Sequence, residues 1–368
     1  MSIEINPYLQ LMVKKEASDL FFSTGSKVMV KIEGKSVPIG ERTLAPGETK
    51  QAAYDIMSER QSTEFERELE LNMSLSVSGL GRFRVNVFQQ RGEVAMVIRY
   101  VKEKVPSIEE LGMPEVLKDF SMIKRGLIVV VGATGSGKST TLASMIDYRN
   151  KSASGHILTI EDPIEFLHRH QRSVVNQREV GFDTHSYSNA LKNALREAPD
   201  VILIGEIRDR ETMEHAINYA ETGHLCLSTL HANNANQTMD RIINFFPDSA
   251  HKQLLVDLSL NLKGIVSQRL VPGTHSKLVA AVEVLVNTPY ISQLIQQGEI
   301  QEIKNVMAKG TEEGMQTFDQ ALYDLYTSGK IELNQALANA DSKNDLGLRI
   351  RLNQGTDPRN SKQFSVGG

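Results

Sequence analysis

The rhythm of apolar positions changes once along the chain, near residue 105. Before that point Val28, Val30 and Ile32 alternate with polar or longer side chains, and Glu33-Gly34-Lys35 reads as a turn. Met73, Leu75 and Val77 alternate again. Gly79-Leu80-Gly81 turns the chain, and then Phe83, Val85 and Val87 point one way while Arg82, Arg84 and Asn86 point the other. Gln89-Gln90-Arg91-Gly92 marks a further turn before a strand over 93–100. Strands joined by short turns predict an antiparallel sheet. With a polar, helically spaced segment over 47–70, residues 1–100 read as a small α+β domain. Lys102, Glu103, Lys104 and Pro106 mark a linker over 101–110.

From residue 127 the pattern alternates strand with helix: 127–131, 138–149, 156–161, 186–197, 201–205, 209–221, 225–230 and 233–244. That alternation predicts a parallel sheet covered by helices. Leu127-Ile-Val-Val-Val131 and Val201-Ile-Leu-Ile204 are continuous apolar runs, as strands buried on both faces require. After about 248 the chain reads as mostly helical, with one apolar strand at 278–286. Residues 111–352 therefore read as one α/β domain with C-terminal helices. The polar stretch 353–368 has little to bury and predicts disorder.

Composition narrows the class. The 368 residues carry 41 Lys and Arg against 45 Asp and Glu, a balance that argues against a general nucleic-acid binder. The single cysteine, Cys226, excludes an intramolecular disulfide and a cysteine-rich zinc site, and is expected to pack as a small apolar residue. The N-terminal stretch contains acids and no long apolar run, so it does not read as a signal peptide. No segment approaches the roughly 18 apolar residues of a membrane span. The reading is a cytoplasmic protein whose contact with a membrane comes through a partner.

The candidate chemistry starts at Gly132-x-x-x-x-Gly137-Lys138-Ser139, directly after an apolar strand and directly before a helix. Glycines let several backbone N–H groups face one phosphate, and the helix N-terminus adds positive potential. Gly132, Thr134, Gly135, Ser136, Gly137, Lys138, Ser139 and Thr140 are the candidates to hold ATP. Lys138 carries the point charge, and Ser139 offers a hydroxyl to Mg²⁺. Hydrolysis also needs carboxylates for the metal and the water. Glu161, Asp162 and Glu165 follow one strand and Glu206 follows another, at strand C-termini where open α/β sheets bind ligands. Acids gathered at a phosphate site imply Mg²⁺ among them.

His224 and His231 flank the strand Leu225–Leu230, roughly 23 Å apart if it is straight, so at most one reaches the phosphates. Each is either a strand-end cap or a reporter of the γ-phosphate. Arg82, Arg84, Arg91 and Arg99 are either solvated side chains or the cationic charge that a closing ATPase site needs.

Together, GATGSGKSTT, TIEDPIEF, ALREAPDVILIGEIRD and AETGHLCLSTLHANNA resemble the Walker A, Asp box, Walker B and His box of secretion-type ATPases, in particular the type IV pilus retraction ATPases of the PilT/PilU class. The resemblance spans about residues 1–350. It implies a PAS-like N-terminal domain, a RecA-like C-terminal domain and a homohexameric ring that hydrolyses ATP with Mg²⁺ to drive pilus retraction and twitching motility. Carried over residue by residue, Lys138 and Ser139 bind phosphate and Mg²⁺, and Glu165 acts on the water. Glu206 lies near Mg²⁺, His224 and His231 form the His box, and Arg82, Arg84 and Arg99 fall where charge is supplied to the γ-phosphate. The absence of a four-cysteine motif points away from extension and type II secretion ATPases. Pro289–Glu299 lacks the arginines of the AIRNLIRE-like helix of PilT-type motors, and GMQTFDQALYDLYTSGKI resembles the accessory PilU type. That type implies a PilT-type paralogue and an inner-membrane platform protein as partners, with the protein recruited peripherally to the membrane. A ring that binds ATP mainly as scaffold or regulator of the paralogue is the second reading. A nucleic-acid translocase is disfavoured by the lack of a basic, aromatic stripe.

Overall fold

The computed structural model describes residues 3–276 and 278–354. The chain divides into two compact units, Met1–Lys104 with Ile164–Leu167, and Val105–Pro163 with His168–Gly368.

The first unit runs α1 (Asn6–Lys14), β1 (Asp19–Ser23), β2 (Lys27–Ile32), β3 (Lys35–Thr43), α2 (Glu48–Tyr54), α3 (Glu59–Glu68), β4 (Glu70–Val77), β5 (Gly81–Gln90) and β6 (Glu93–Val101). All six strands pair antiparallel in the order β3-β2-β1-β6-β5-β4. The alternation in the sequence fixes the faces: Phe83, Val85 and Val87 are buried with Met73, Met96 and Ile98. The polar segment forms two helices. Ser58 opens α3 through a capping box in which its hydroxyl accepts from the Gln61 N–H and the Gln61 side chain accepts from the Ser58 N–H. The segment 101–110 is in part strand, since β6 runs through Val101.

The second unit begins with α4 (Val116–Met122), β7 (Gly126–Val131), α5 (Lys138–Ser152), β8 (Gly155–Glu161), β9 (Ser173–Glu179) and α6 (Tyr187–Ala194). It continues with β10 (Val201–Ile204), α7 (Arg210–Glu221), β11 (Leu225–Leu230), α8 (Ala235–Asn244), α9 (Asp248–Asn261) and β12 (Leu262–Pro272). It closes with β13 (Leu278–Val286), α10 (Pro289–Gln297), α11 (Ile303–Met307), α12 (Phe318–Thr327), α13 (Leu333–Asn339) and α14 (Lys343–Gln354). The seven-stranded order is β13-β12-β7-β11-β10-β8-β9. Only the β12–β13 pair is antiparallel.

The continuous apolar runs divide between two cores. Leu127, Val129 and Val131 pack with α6 through α10, whereas Ile128 and Val130 pack with α4 and α5. A strand clothed by helices on both faces has no position left for a polar side chain, which is why the run is unbroken. Cys226 lies fully buried in the first of these cores, and burial pushes its thiol up. A third cluster seats α12 and α14 on Val271 and Ala281, near the ends of β12 and β13.

Two strands escaped the pattern. β9 pairs with β8 at the sheet edge, and β12 lies between β13 and β7 where helix was expected. No glycine or proline separates α9 from β12, and Ser267 and Gln268 interrupt its apolar run, yet both are buried. The tail expected to be disordered from 353 is helical through Gln354, and the remainder lies outside the described residues.

Candidate active site

The phosphate loop links β7 to α5. Gly132 has φ +152°, and a Cβ there would come within 2.4 Å of both the Gln268 carbonyl oxygen and Ser136 Oγ. At Gly137, φ +92°, a Cβ would stand 2.7 Å from Gln268 Nε2. Both ends of the loop are thus pressed against one residue of β12, its backbone at Gly132 and its side chain at Gly137. Gln268 is held in turn by Thr141, whose hydroxyl donates to its Oε1 at 2.7 Å. Sequence reasoning missed Gln268 because the strand that carries it was itself missed.

Lys138 folds back on the loop: Nζ donates to the carbonyls of Gly132 at 2.8 Å and Ala133 at 2.9 Å. Burial lowers its pKa, and the Glu206 charge opposes that shift. Two clefts flank the loop. One, of about 480 Å³, is lined by Gly132, Ala133, His231, Gln237 and Arg241. The other, of about 300 Å³, is lined by Thr134, Gly135, Ser136, Gln268 and Leu270.

The carboxylates gather two and three strands further on. β10 lies in register with β8, Ile204 opposite Ile160, so Glu161, Asp162 and Glu206 leave the same edge of neighbouring strands. Thr229 fixes the turn after β10: its hydroxyl donates to the Gly205 carbonyl at 2.7 Å, and its own carbonyl accepts from the Ile207 N–H at 2.8 Å. Glu206 is gripped on both oxygens, by Arg208 Nε at 2.6 Å and His231 Nε2 at 2.9 Å. Arg208 also stands 3.8 Å from Asp162. Glu161 accepts from the Thr159 hydroxyl at 2.6 Å.

The two histidines separate. His231 follows β11 beside the phosphate loop, since Leu230 is in register with Val131. His224 precedes β11 at the opposite edge of the sheet, where the neighbouring Leu225 faces Gly126, and its Nδ1 lies 3.2 Å from the Tyr219 carbonyl. A six-residue strand between them removes His224 from the phosphate site of its own chain.

Glu165 falls in Ile164–Leu167, which belongs to the first unit, and its neighbour Phe166 pairs with Lys102. Glu165 is exposed. Arg82, Arg84 and Arg99 also lie on the first unit and come together there, whereas Arg91 sits in the turn between β5 and β6. Arg84 and Arg99 are direct cross-strand partners, and Arg82 shares their face of the sheet. Arg82 donates to Ser74 Oγ at 2.7 Å, and Arg99 pairs with the buried Asp19 at 2.8 Å.

Glu283, on β13, anchors the helix that follows His231. Its Oε1 accepts from the Ala235 N–H at 2.7 Å and the Ser267 hydroxyl at 2.9 Å. Burial outweighs both bonds and pushes its pKa up to about 7. A carboxyl raised on folding favours the folded state most below its ordinary value, near 4.5, and that contribution is lost as pH rises through 7. Glu283→Gln should therefore flatten the decline of the unfolding midpoint between these pH values, a span worth roughly 3 kcal/mol. Thermal melts at pH 5 and pH 8 read the difference; an unchanged pH slope contradicts it.

A glycine loop, a lysine at a helix N-terminus and a carboxylate two strands away, on a mostly parallel sheet, define a P-loop nucleoside triphosphatase. The family described as Type II/IV secretion system protein matches residues 1–349. The type IV pilus ATPase PilU of Pseudomonas aeruginosa is 52% identical over 366 residues, 99% of this chain and 96% of that protein. The retraction ATPase PilT of the same organism is 43% identical over 91% of this chain and 97% of its own length. A crystal structure of the pilus retraction motor PilT with bound ADP matches with TM-score 0.87 at 42% identity, covering 94% of this chain and 100% of that one. The chain belongs to the type II/IV secretion system protein family and, within it, to the PilT/PilU class of pilus ATPases. The second unit is the RecA-like core, and the first is the smaller α+β unit, PAS-like, that precedes it in the chain.

Proposed function

We propose that the chain is a Mg²⁺-dependent ATP-hydrolysing motor that works as a homohexameric ring in type IV pilus retraction, as the accessory partner of a PilT-type paralogue. The observation that carries this reading is Glu206, held by His231 and Arg208 at the strand edge that also bears the phosphate loop. The 52% identity to PilU, spread over nearly the whole chain, supports the accessory assignment.

The loop N–H groups from Gly135 to Ser139, with Lys138, Thr134 and Thr140, hold the phosphates. Ser139 and Glu206 are the protein's share of a Mg²⁺ site. Among the described residues no three His, Cys, Asp or Glu side chains converge into a metal cage. That donor set suits a hard cation taking its other ligands from phosphate and water, where it neutralises developing charge. Glu165 is assigned to the water, and Arg82, Arg84 and Arg99 to the γ-phosphate. Asp162 and Glu161 support Glu206, and His231 is the γ-phosphate reporter.

No described helix is long and apolar enough to cross a membrane, so membrane contact is assigned to an inner-membrane platform protein. The second reading, a scaffold for the paralogue, draws on α10, which has no basic residue in its last turn. Retraction scored in cells lacking the PilT-type paralogue separates the accessory role from an independent one. The accessory role predicts no retraction there; full retraction by this chain alone overturns it. With the paralogue present, Glu206→Gln should weaken retraction, whereas a scaffold would tolerate it.

A further inference from the structure

The hydroxyl of Tyr187, the first residue of α6, lies inside the carboxylate group of the hydrolytic site. Its ring packs against the apolar core, while its oxygen reaches the turn after β10. A Cβ on Gly205 would stand 2.8 Å from that oxygen and 3.2 Å from Glu161 Cα. Gly205 has no positive φ to explain it; its missing side chain is what leaves room for the phenol. No hydrogen bond joins the hydroxyl to another described residue, although Asp162, Glu161, Glu206 and Arg208 all act on it electrostatically. Burial and the three carboxylates push the phenol well above its ordinary value, so it stays neutral and keeps a proton to donate.

We infer that Tyr187 is a positioning residue for hydrolysis: it donates its O–H into the Asp162–Glu206 group and fixes the water held there. This rests on the proposal that the group serves ATP hydrolysis. A carboxylate cluster facing a phosphate attracts water in many orientations. One fixed donor selects among them, and a hydrogen bond to a charged acceptor is strong enough to do so. The phenol touches neither the phosphate loop nor Lys138 among the contacts seen, so its loss should leave nucleotide binding alone.

The test is a double-mutant cycle on the full chain, reading phosphate release against Mg·ATP concentration, ADP affinity and melting midpoint. Tyr187→Phe keeps the ring and should fold normally. It should lower kcat about tenfold with KM and ADP affinity within about twofold of wild type. Gly205→Ala puts a methyl 2.8 Å from the hydroxyl oxygen, too close for it to stay, and should lower kcat comparably. Because the hydroxyl is then already gone, adding Gly205→Ala to Tyr187→Phe should cost little more. Unchanged kcat in Tyr187→Phe, a loss confined to KM, or losses that multiply would each overturn the inference. Glu206→Gln run alongside keeps the two readings apart: if it turns over as wild type does, the site assignment fails, and Tyr187 loses its role with it.

Discussion

Glu206→Gln is expected to lower ATP turnover by about a thousandfold while nucleotide still binds. The carboxylate sits at the strand edge next to the phosphate loop, gripped by Arg208 and His231. Glutamine keeps the shape and can accept from Arg208, so the turn after β10 should hold. It removes the charge that a divalent cation and an attacking water require. Phosphate release should fall to background while a fluorescent ADP analogue binds as to wild type. Turnover within tenfold of wild type would take Glu206 out of the reaction.

Lys138→Ala should instead abolish binding, with nucleotide affinity down by about a hundredfold or more. Lys138 Nζ donates to the Gly132 and Ala133 carbonyls. A phosphate exchanges two neutral acceptors for a charged one, so the gain from lysine is realised only on binding. The melting midpoint without nucleotide should therefore change little, while the rise produced by ADP disappears. A preserved ADP-induced rise contradicts the role given to Lys138.

The phosphate loop was fully legible, because its chemistry demands fixed residue types at fixed spacing between a strand and a helix. The alternation at 83–87 and the unbroken run at 127–131 likewise reported their sheets, since one face was buried in the first case and both in the second. What was illegible depended on partners distant in sequence. Gln268 and Ser267 look like breaks in an apolar run until Thr141 and Glu283 are seen to satisfy them. Glu283 looks like a charge in an apolar strand until the N-terminus of α8 is seen to meet it. His224 and His231 were indistinguishable until strand register put one beside the phosphate loop and the other at the far edge. The Tyr187 hydroxyl had no signal in its own neighbourhood. Its meaning came from Gly205, eighteen positions later, which yields the space it occupies.

As proposed, this chain hydrolyses ATP itself, as a partner of a PilT-type motor. The most direct measurement is phosphate release by the purified full chain with Mg·ATP, alone and mixed with a PilT-type paralogue, beside its mass in solution. The expected result is a ring-sized assembly with turnover that Glu206→Gln removes in the chain alone and cuts back to the paralogue's own rate in the mixture. A monomer that releases no phosphate alone and adds none to the paralogue's own rate would contradict it.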